Sequence, residues 1–145
     1  MNYERMILLK LSTKGRYGLR AMYELALNQD NTNPLPIKSI AAKTGFSDQY
    51  LEQIFAVLKK AEFVVSVRGA QGGYLLSRPP EEITAGDIIR CLDGPVEPSL
   101  CVSDIDPFTC SVDDCATRIV WKKLKDSIDE CLDSITLQDM IENNI

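Results

Sequence analysis

The chain contains no histidine. That removes imidazole as a metal ligand and removes the commonest general base of acid–base catalysis. No nucleophile pair and no nucleotide-binding glycine loop replaces it, so an enzyme or electron carrier built on the thiols is the weakest of the functional readings. No apolar run reaches the roughly 18 residues that a membrane-spanning helix needs. Met1 to Leu11 holds only a short apolar patch, Met6 to Leu9. It lacks the longer apolar core and small-residue cleavage site of a secretory leader. These absences point to a cytoplasmic protein whose thiols stay reduced. Paired C-x2-C spacings, the usual zinc signal, are missing too, as are internal repeats and low-complexity tracts. Five cysteines are nevertheless present. In a reducing compartment they suggest metal binding, redox chemistry or core packing in preference to a disulfide framework.

The net charge of −5 over 145 residues argues at first against nucleic acid. Its distribution argues the other way. Residues 1–78 carry 11 Lys/Arg against 6 Asp/Glu, and residues 79–145 carry 5 against 15. A basic first half can meet phosphate while an acidic second half stays clear of it. Two ordinary solvated faces are the alternative if charge is the only clue.

Periodicity divides the chain further. Ser12 or Thr13 can cap a helix to about Asn28, with Ala21, Met22, Leu25 and Ala26 at helical spacing. Lys14, Arg16 and Arg20 near its start can face a phosphate strand. A loop rich in Asn and Pro leads to a short helix, Ile37 to Thr44, which Gly45 breaks as a helix-turn-helix requires. Ser47 caps a third helix whose Leu51, Ile54, Phe55 and Leu58 form one apolar stripe. Phe63 to Val67 is rich in β-branched residues and reads as a strand. It returns as Tyr74 to Leu76 after a loop holding Gly69, Gly72 and Gly73. Pro79-Pro80 closes this unit. Thr84 and Asp87 form a capping box, with Ile83 and Ile88 as its hydrophobic staple. Gly94-Pro95 ends that helix. Val96 to Asp114 is aperiodic and contains four aspartates; a loop of that length needs a reason. A long helix runs from near Cys115 to about Ser134, with Ile119, Trp121, Leu124, Ile128, Cys131, Leu132 and Ile135 as its apolar stripe, and a short helix follows from Thr136 to Ile141. The predicted fold is mainly α with a small β-hairpin wing. Residues 1–80 form a winged helix-turn-helix, and residues 81–145 carry a cysteine-containing loop and a long helix.

The third helix can enter a major groove. Gln49 and Gln53 lie one turn apart, and glutamine makes paired hydrogen bonds to adenine edges. Ser47, Tyr50 and the free amides of the first turn can hold phosphate. Glu52 can accept from a cytosine amino group and so exclude other bases. Arg68 on the wing suits a narrow minor groove, and Gly72 beside it permits close backbone approach. Taken alone, each element also reads as a solvated helix face or an ordinary hairpin; their order favours DNA.

Cys101, Cys110 and Cys115, spaced C-x8-C-x4-C, lie in or beside the acidic loop. Thiolates favour zinc or iron–sulfur species, and the helix start lowers the pKa of Cys115. Plain thiols, at the surface or partly buried, are the other reading. A fourth ligand would have to be Asp104, Asp106, Asp113, Asp114 or a partner residue. Cys91 and Cys131 sit on apolar helix faces and are expected to be core thiols.

With these residues in place the chain resembles the IscR-type winged-helix regulators. The matching stretches are Leu11-Ser-Thr-Lys-Gly-Arg-Tyr-Gly-Leu19, Tyr50-Leu-Glu-Gln-Ile-Phe55 and Val67-Arg-Gly-Ala-Gln-Gly-Gly-Tyr-Leu-Leu76. Ile83-Thr-Ala-Gly-Asp-Ile-Ile89 and Ser134-Ile-Thr-Leu137 add to them. The resemblance implies a homodimer crossed through the long helix, binding a palindromic double-stranded DNA operator, most often as a repressor, with Glu52 tuning site choice. In the cluster-binding branch it implies a 2Fe–2S cluster on Cys101, Cys110 and Cys115, which an isolated protein can lack. Two departures stand out: the spacing is less even than C-x5-C-x5-C, and Arg118 replaces the histidine that completes the cluster there. A cluster-free branch implies instead a regulator of cysteine or sulfur metabolism that answers to thiol oxidation or to a protein partner from cysteine or cluster biosynthesis.

Overall fold

Ser12 starts the first helix by accepting a hydrogen bond from the Gly15 amide. The computed structural model describes residues 11–28, 32–103 and 115–145, and in it α1 spans Thr13–Ala26. Helix α2, Ile37–Thr44, stops at Gly45, whose φ of 78° is left-handed and costs a glycine nothing. The Thr44 hydroxyl reinforces the stop, donating to the Ile40 carbonyl at 2.7 Å. Helix α3, Asp48–Lys60, begins on the Ser47 cap. Strands β1 (Val64–Val67) and β2 (Gly73–Leu76) pair antiparallel, Val64 opposite Leu76 and Val67 opposite Gly73. Leu35, ahead of α2, exchanges backbone hydrogen bonds with Tyr74 at 3.0 Å in both directions, which fixes the wing to the helix-turn-helix.

A single 3-10 turn, Pro80–Glu82, leads to α4, Ala85–Asp93, which opens with the Thr84/Asp87 capping box. A second such turn covers Leu100–Val102. Helix α5 spans Ala116–Asp133, and α6 spans Leu137–Glu142 behind a capping box of Thr136 and Asp139. The two boxes lie side by side. Leu137 N–H donates to the Ile83 carbonyl at 2.9 Å, and Ala85 N–H donates to the Ile135 carbonyl at 2.8 Å.

One core runs through these elements. Met22 from α1, Ile40 from α2, and Leu51, Ile54, Phe55 and Leu58 from α3 are fully buried. They meet Ile83, Ile88 and Leu137 from beyond residue 80, fully buried as well. The expected apolar faces of α1 and α3 are therefore the faces that pack, and α4 closes over α1. An aromatic trio holds the turn before the third helix. Tyr17 and Phe46 stack with ring centroids 3.8 Å apart, and Tyr50 meets Tyr17 edge-on at 5.6 Å.

Helix α5 behaves differently. The apolar residues of its first half are left exposed: Ile119 is 66% exposed, Val120 57%, and Trp121 and Leu124 39% each. Arg90 of α4 ties the helix down, reaching Asp129 at 3.6 Å and Asp133. The expectation that Cys131 is a core thiol is corrected here: Cys131 is exposed, while Ile128 and Leu132 beside it are half-buried. Cys91 is half-buried and packs against the core.

Candidate nucleic-acid interface and thiol site

Burial of Leu51, Ile54, Phe55 and Leu58 fixes the rotation of α3. The opposite face carries Gln49, Glu52 and Gln53, all exposed. Gln49 and Gln53 sit one turn apart, so their amide ends share a side. Ser47 is exposed, and its hydroxyl oxygen accepts from the Tyr50 amide at 3.2 Å. Capping uses an oxygen lone pair and leaves the hydroxyl proton for an outside acceptor. The Tyr50 ring is half-buried against Tyr17, which orients it at the mouth of the turn. Basic side chains are exposed on all three helices. Arg16 of α1, Lys38 and Lys43 of α2, and Lys59 and Lys60 of α3 are exposed.

Arg20, expected among the phosphate-facing residues, has a structural partner as well. Its guanidinium donates to Glu24 at 2.8 and 3.1 Å, and Lys43 stands 4.0 Å from the other oxygen of the same carboxylate. Glu24 is 5% exposed. A buried carboxylate needs such pairing, and here it links α1 to the end of α2.

At the wing, Arg68 is exposed at the end of β1. Gly72 has an internal reason to be glycine. A Cβ at this position would stand 2.2 Å from the Val67 carbonyl oxygen, and its amide closes the loop on Gly69 at 3.0 Å. Its contribution near Arg68 is to shape the tip.

The cysteine loop is described only at its ends; Cys110, Asp104, Asp106, Asp113 and Asp114 lie outside the described residues. Cys101 sits in the 3-10 turn and Cys115 immediately before α5. Both are half-exposed. Arg118 joins the two ends, its Nε donating to the Cys101 carbonyl at 3.2 Å. The Cys101 sulfur lies 3.2 Å from the Ser99 hydroxyl, and the Cys115 sulfur 3.0 Å from the Thr117 hydroxyl. The Thr117 hydroxyl holds the Cys115 thiol below the ordinary thiol range, helped by the backbone amides of Arg118 and Thr117 at the start of α5. The described residues contain no group of three metal-ligating side chains. The donor chemistry still fits an iron–sulfur species. Two soft sulfur ligands stand at the two ends of the loop, which Arg118 links, and a third cysteine lies between them in sequence. Arg118 has no lone pair to offer and acts on the backbone instead. Ser99 and Thr117 were not singled out from the sequence; the only signal for them is a hydroxyl two residues from a cysteine, on either side of the loop.

Comparison with known proteins adds the context. Residues 11–143 match the Rrf2 family model, described as an iron-dependent transcriptional regulator. The transcriptional regulator CymR of Bacillus subtilis is 46% identical over 132 residues, covering 91% of this chain and 89% of CymR. The transcriptional regulator IscR of Escherichia coli is 37% identical over 136 residues, covering 93% and 82%. Among solved structures, CymR, the global cysteine regulator of B. subtilis, superposes with a TM-score of 0.81 at 43% identity, covering 94% of this chain and 99% of that one. IscR of T. potens superposes with a TM-score of 0.75 at 47% identity, covering 94% and 89%.

Proposed function

The chain belongs to the Rrf2 family of transcriptional regulators, and on that premise we propose that it works as a homodimer on a palindromic operator, with affinity set by a 2Fe–2S cluster on Cys101, Cys110 and Cys115. The observation that supports the sensing part is the hydrogen bond from Arg118 in α5 to the Cys101 carbonyl, which ties the two ends of the cysteine loop to each other. A bound cluster supplies sensitivity to oxidation and to iron supply.

The chain's own residues do the rest. Gln49, Glu52 and Gln53 present hydrogen-bonding groups to base edges. Ser47, Tyr50 and the first-turn amides of α3 position the helix on phosphate. Arg68 enters the flanking minor groove, with Gly72 shaping the loop that carries it. The bare face of α5, with Ile119, Val120 and Leu124, pairs with the same face of a second copy. Arg90, bound to Asp129 and Asp133, transmits the set of α5 to α4 and so to the core beneath α1 and α3. Little energy is needed, because about 1.4 kcal/mol changes operator affinity tenfold.

Anaerobic purification with iron and sulfide counts tests this. The expected result is visible absorbance in the parent, its loss in Cys110→Ala, and a matching change in operator affinity. Colourless parent protein with unchanged operator binding removes the cluster from the account. A second reading, a cluster-free regulator of cysteine metabolism responding to thiol oxidation or a partner enzyme, is favoured by Arg118, which cannot ligate, and by the likeness to CymR.

A further inference from the structure

The Cys101 and Cys115 thiols share an arrangement that ligation alone does not require. Ser99 stands two residues before Cys101 and Thr117 two residues after Cys115, on separate elements, and each hydroxyl oxygen lies within 3.2 Å of its sulfur. We infer that Ser99 and Thr117 are positioning residues that donate hydrogen bonds to the sulfur atoms of Cys101 and Cys115 and thereby set how readily a bound iron–sulfur group accepts an electron. This inference rests on the cluster reading of the thiol site.

With a protonated thiol either atom can be the donor. Once the sulfur is ionised or bound to metal it has no proton, and the direction is forced: each hydroxyl donates and each sulfur accepts. Such a bond draws charge off the sulfur and favours the more negative, reduced state, so the reduction potential rises with the number of donors. Both sulfurs are half-exposed, so fixed donors here replace part of a shifting water shell. Arg118 links the two segments, its Nε donating to the Cys101 carbonyl at 3.2 Å. The second group in each pair is a small side chain whose position follows from its own backbone, which makes the tuning local and separable from folding.

The test is a redox titration followed by visible absorbance, on full-length protein reconstituted anaerobically with ferrous iron and sulfide. Ser99→Ala and Thr117→Val each load as much iron and sulfide as the parent and titrate at a more negative potential. The double variant lies lower than either, and Thr117→Ser returns towards the parent value. Loaded variants that titrate with the parent overturn the inference and leave the cluster reading standing. A parent chain that takes up no iron and sulfide overturns both.

Discussion

Asp93 sits at the last position of α4 and reaches 81 residues back to the start of α1. One carboxylate oxygen accepts from the Ser12 amide at 3.0 Å, and the other accepts from the Ser12 hydroxyl. The charge therefore rests at the positive end of a 14-residue helix. Hydrogen bonds to a charged group contribute about 1.5–3 kcal/mol, and a carboxylate at a helix start about 0.3–1 kcal/mol. The site is half-buried, which discounts both, so Asp93→Ala should cost roughly 2–3 kcal/mol. For a chain of this length each kcal/mol moves the melting temperature by about 2–4 °C. Thermal unfolding followed by circular dichroism, at fixed protein concentration, should show a fall of roughly 5–10 °C. Asp93→Asn keeps acceptor capacity, loses the charge and falls between the two.

Gly15 packs against the same carboxylate. A Cβ there would lie 2.1 Å from an Asp93 carboxylate oxygen. In an open helix Gly→Ala gains about 1 kcal/mol; here the collision with the carboxylate reverses the sign. In an Asp93→Ala background the obstacle is gone, so Gly15→Ala should become stabilising. Additive effects across this double-mutant cycle, or an Asp93→Ala protein that melts within about 1 °C of the parent, would refute the argument.

Three further outcomes follow from the site. Gln53→Ala should weaken operator binding by about 1–3 kcal/mol and leave scrambled DNA unaffected, measured by fluorescence anisotropy at one salt concentration; equal losses on both DNAs would place Gln53 on phosphate. Ile119→Asp combined with Leu124→Asp should convert dimer to monomer in sedimentation velocity, since burying two charges across the α5 face is prohibitive; unchanged sedimentation would place the dimer contact elsewhere. Burial pushes the Cys91 thiol up, with Lys14 pulling the other way. The neutral thiol therefore favours the fold at neutral pH, an advantage that fades as alkaline pH passes the raised folded value. Cys91 should alkylate slowly until that range is reached, and neutral-pH labelling as fast as in urea-unfolded chain would contradict its burial.

Much of the architecture was legible because it is written in short-range chemistry. Ser12, Ser47, Thr84 and Thr136 each cap the helix that follows them, and each finds its acceptor role within three residues. The wing was legible from β-branched residues and glycines, and the exposed polar face of α3 from its apolar complement. What was not legible depends on distant partners. Nothing local marks Asp93 as the anchor of Ser12, or Glu24 as the point where Arg20 and Lys43 converge. The periodicity of α5 was correct, but periodicity cannot say whether an apolar stripe meets its own chain or another, and so Cys131 was assigned inward. Gly72 drew notice for its place beside Arg68, whereas its tightest constraint is the Val67 carbonyl. Ser99 and Thr117 escaped because hydroxyls are common and only the fold brings them against sulfur.

The backbone stitch between Ile83 and Leu137 has a biosynthetic consequence. Leu137 fills a slot in the centre of the molecule, so an emerging polypeptide cannot complete the core beneath its first three helices until Leu137 has been added. A chain that stops before α6 leaves that slot empty and lacks part of the core on which α1, α2 and α3 pack.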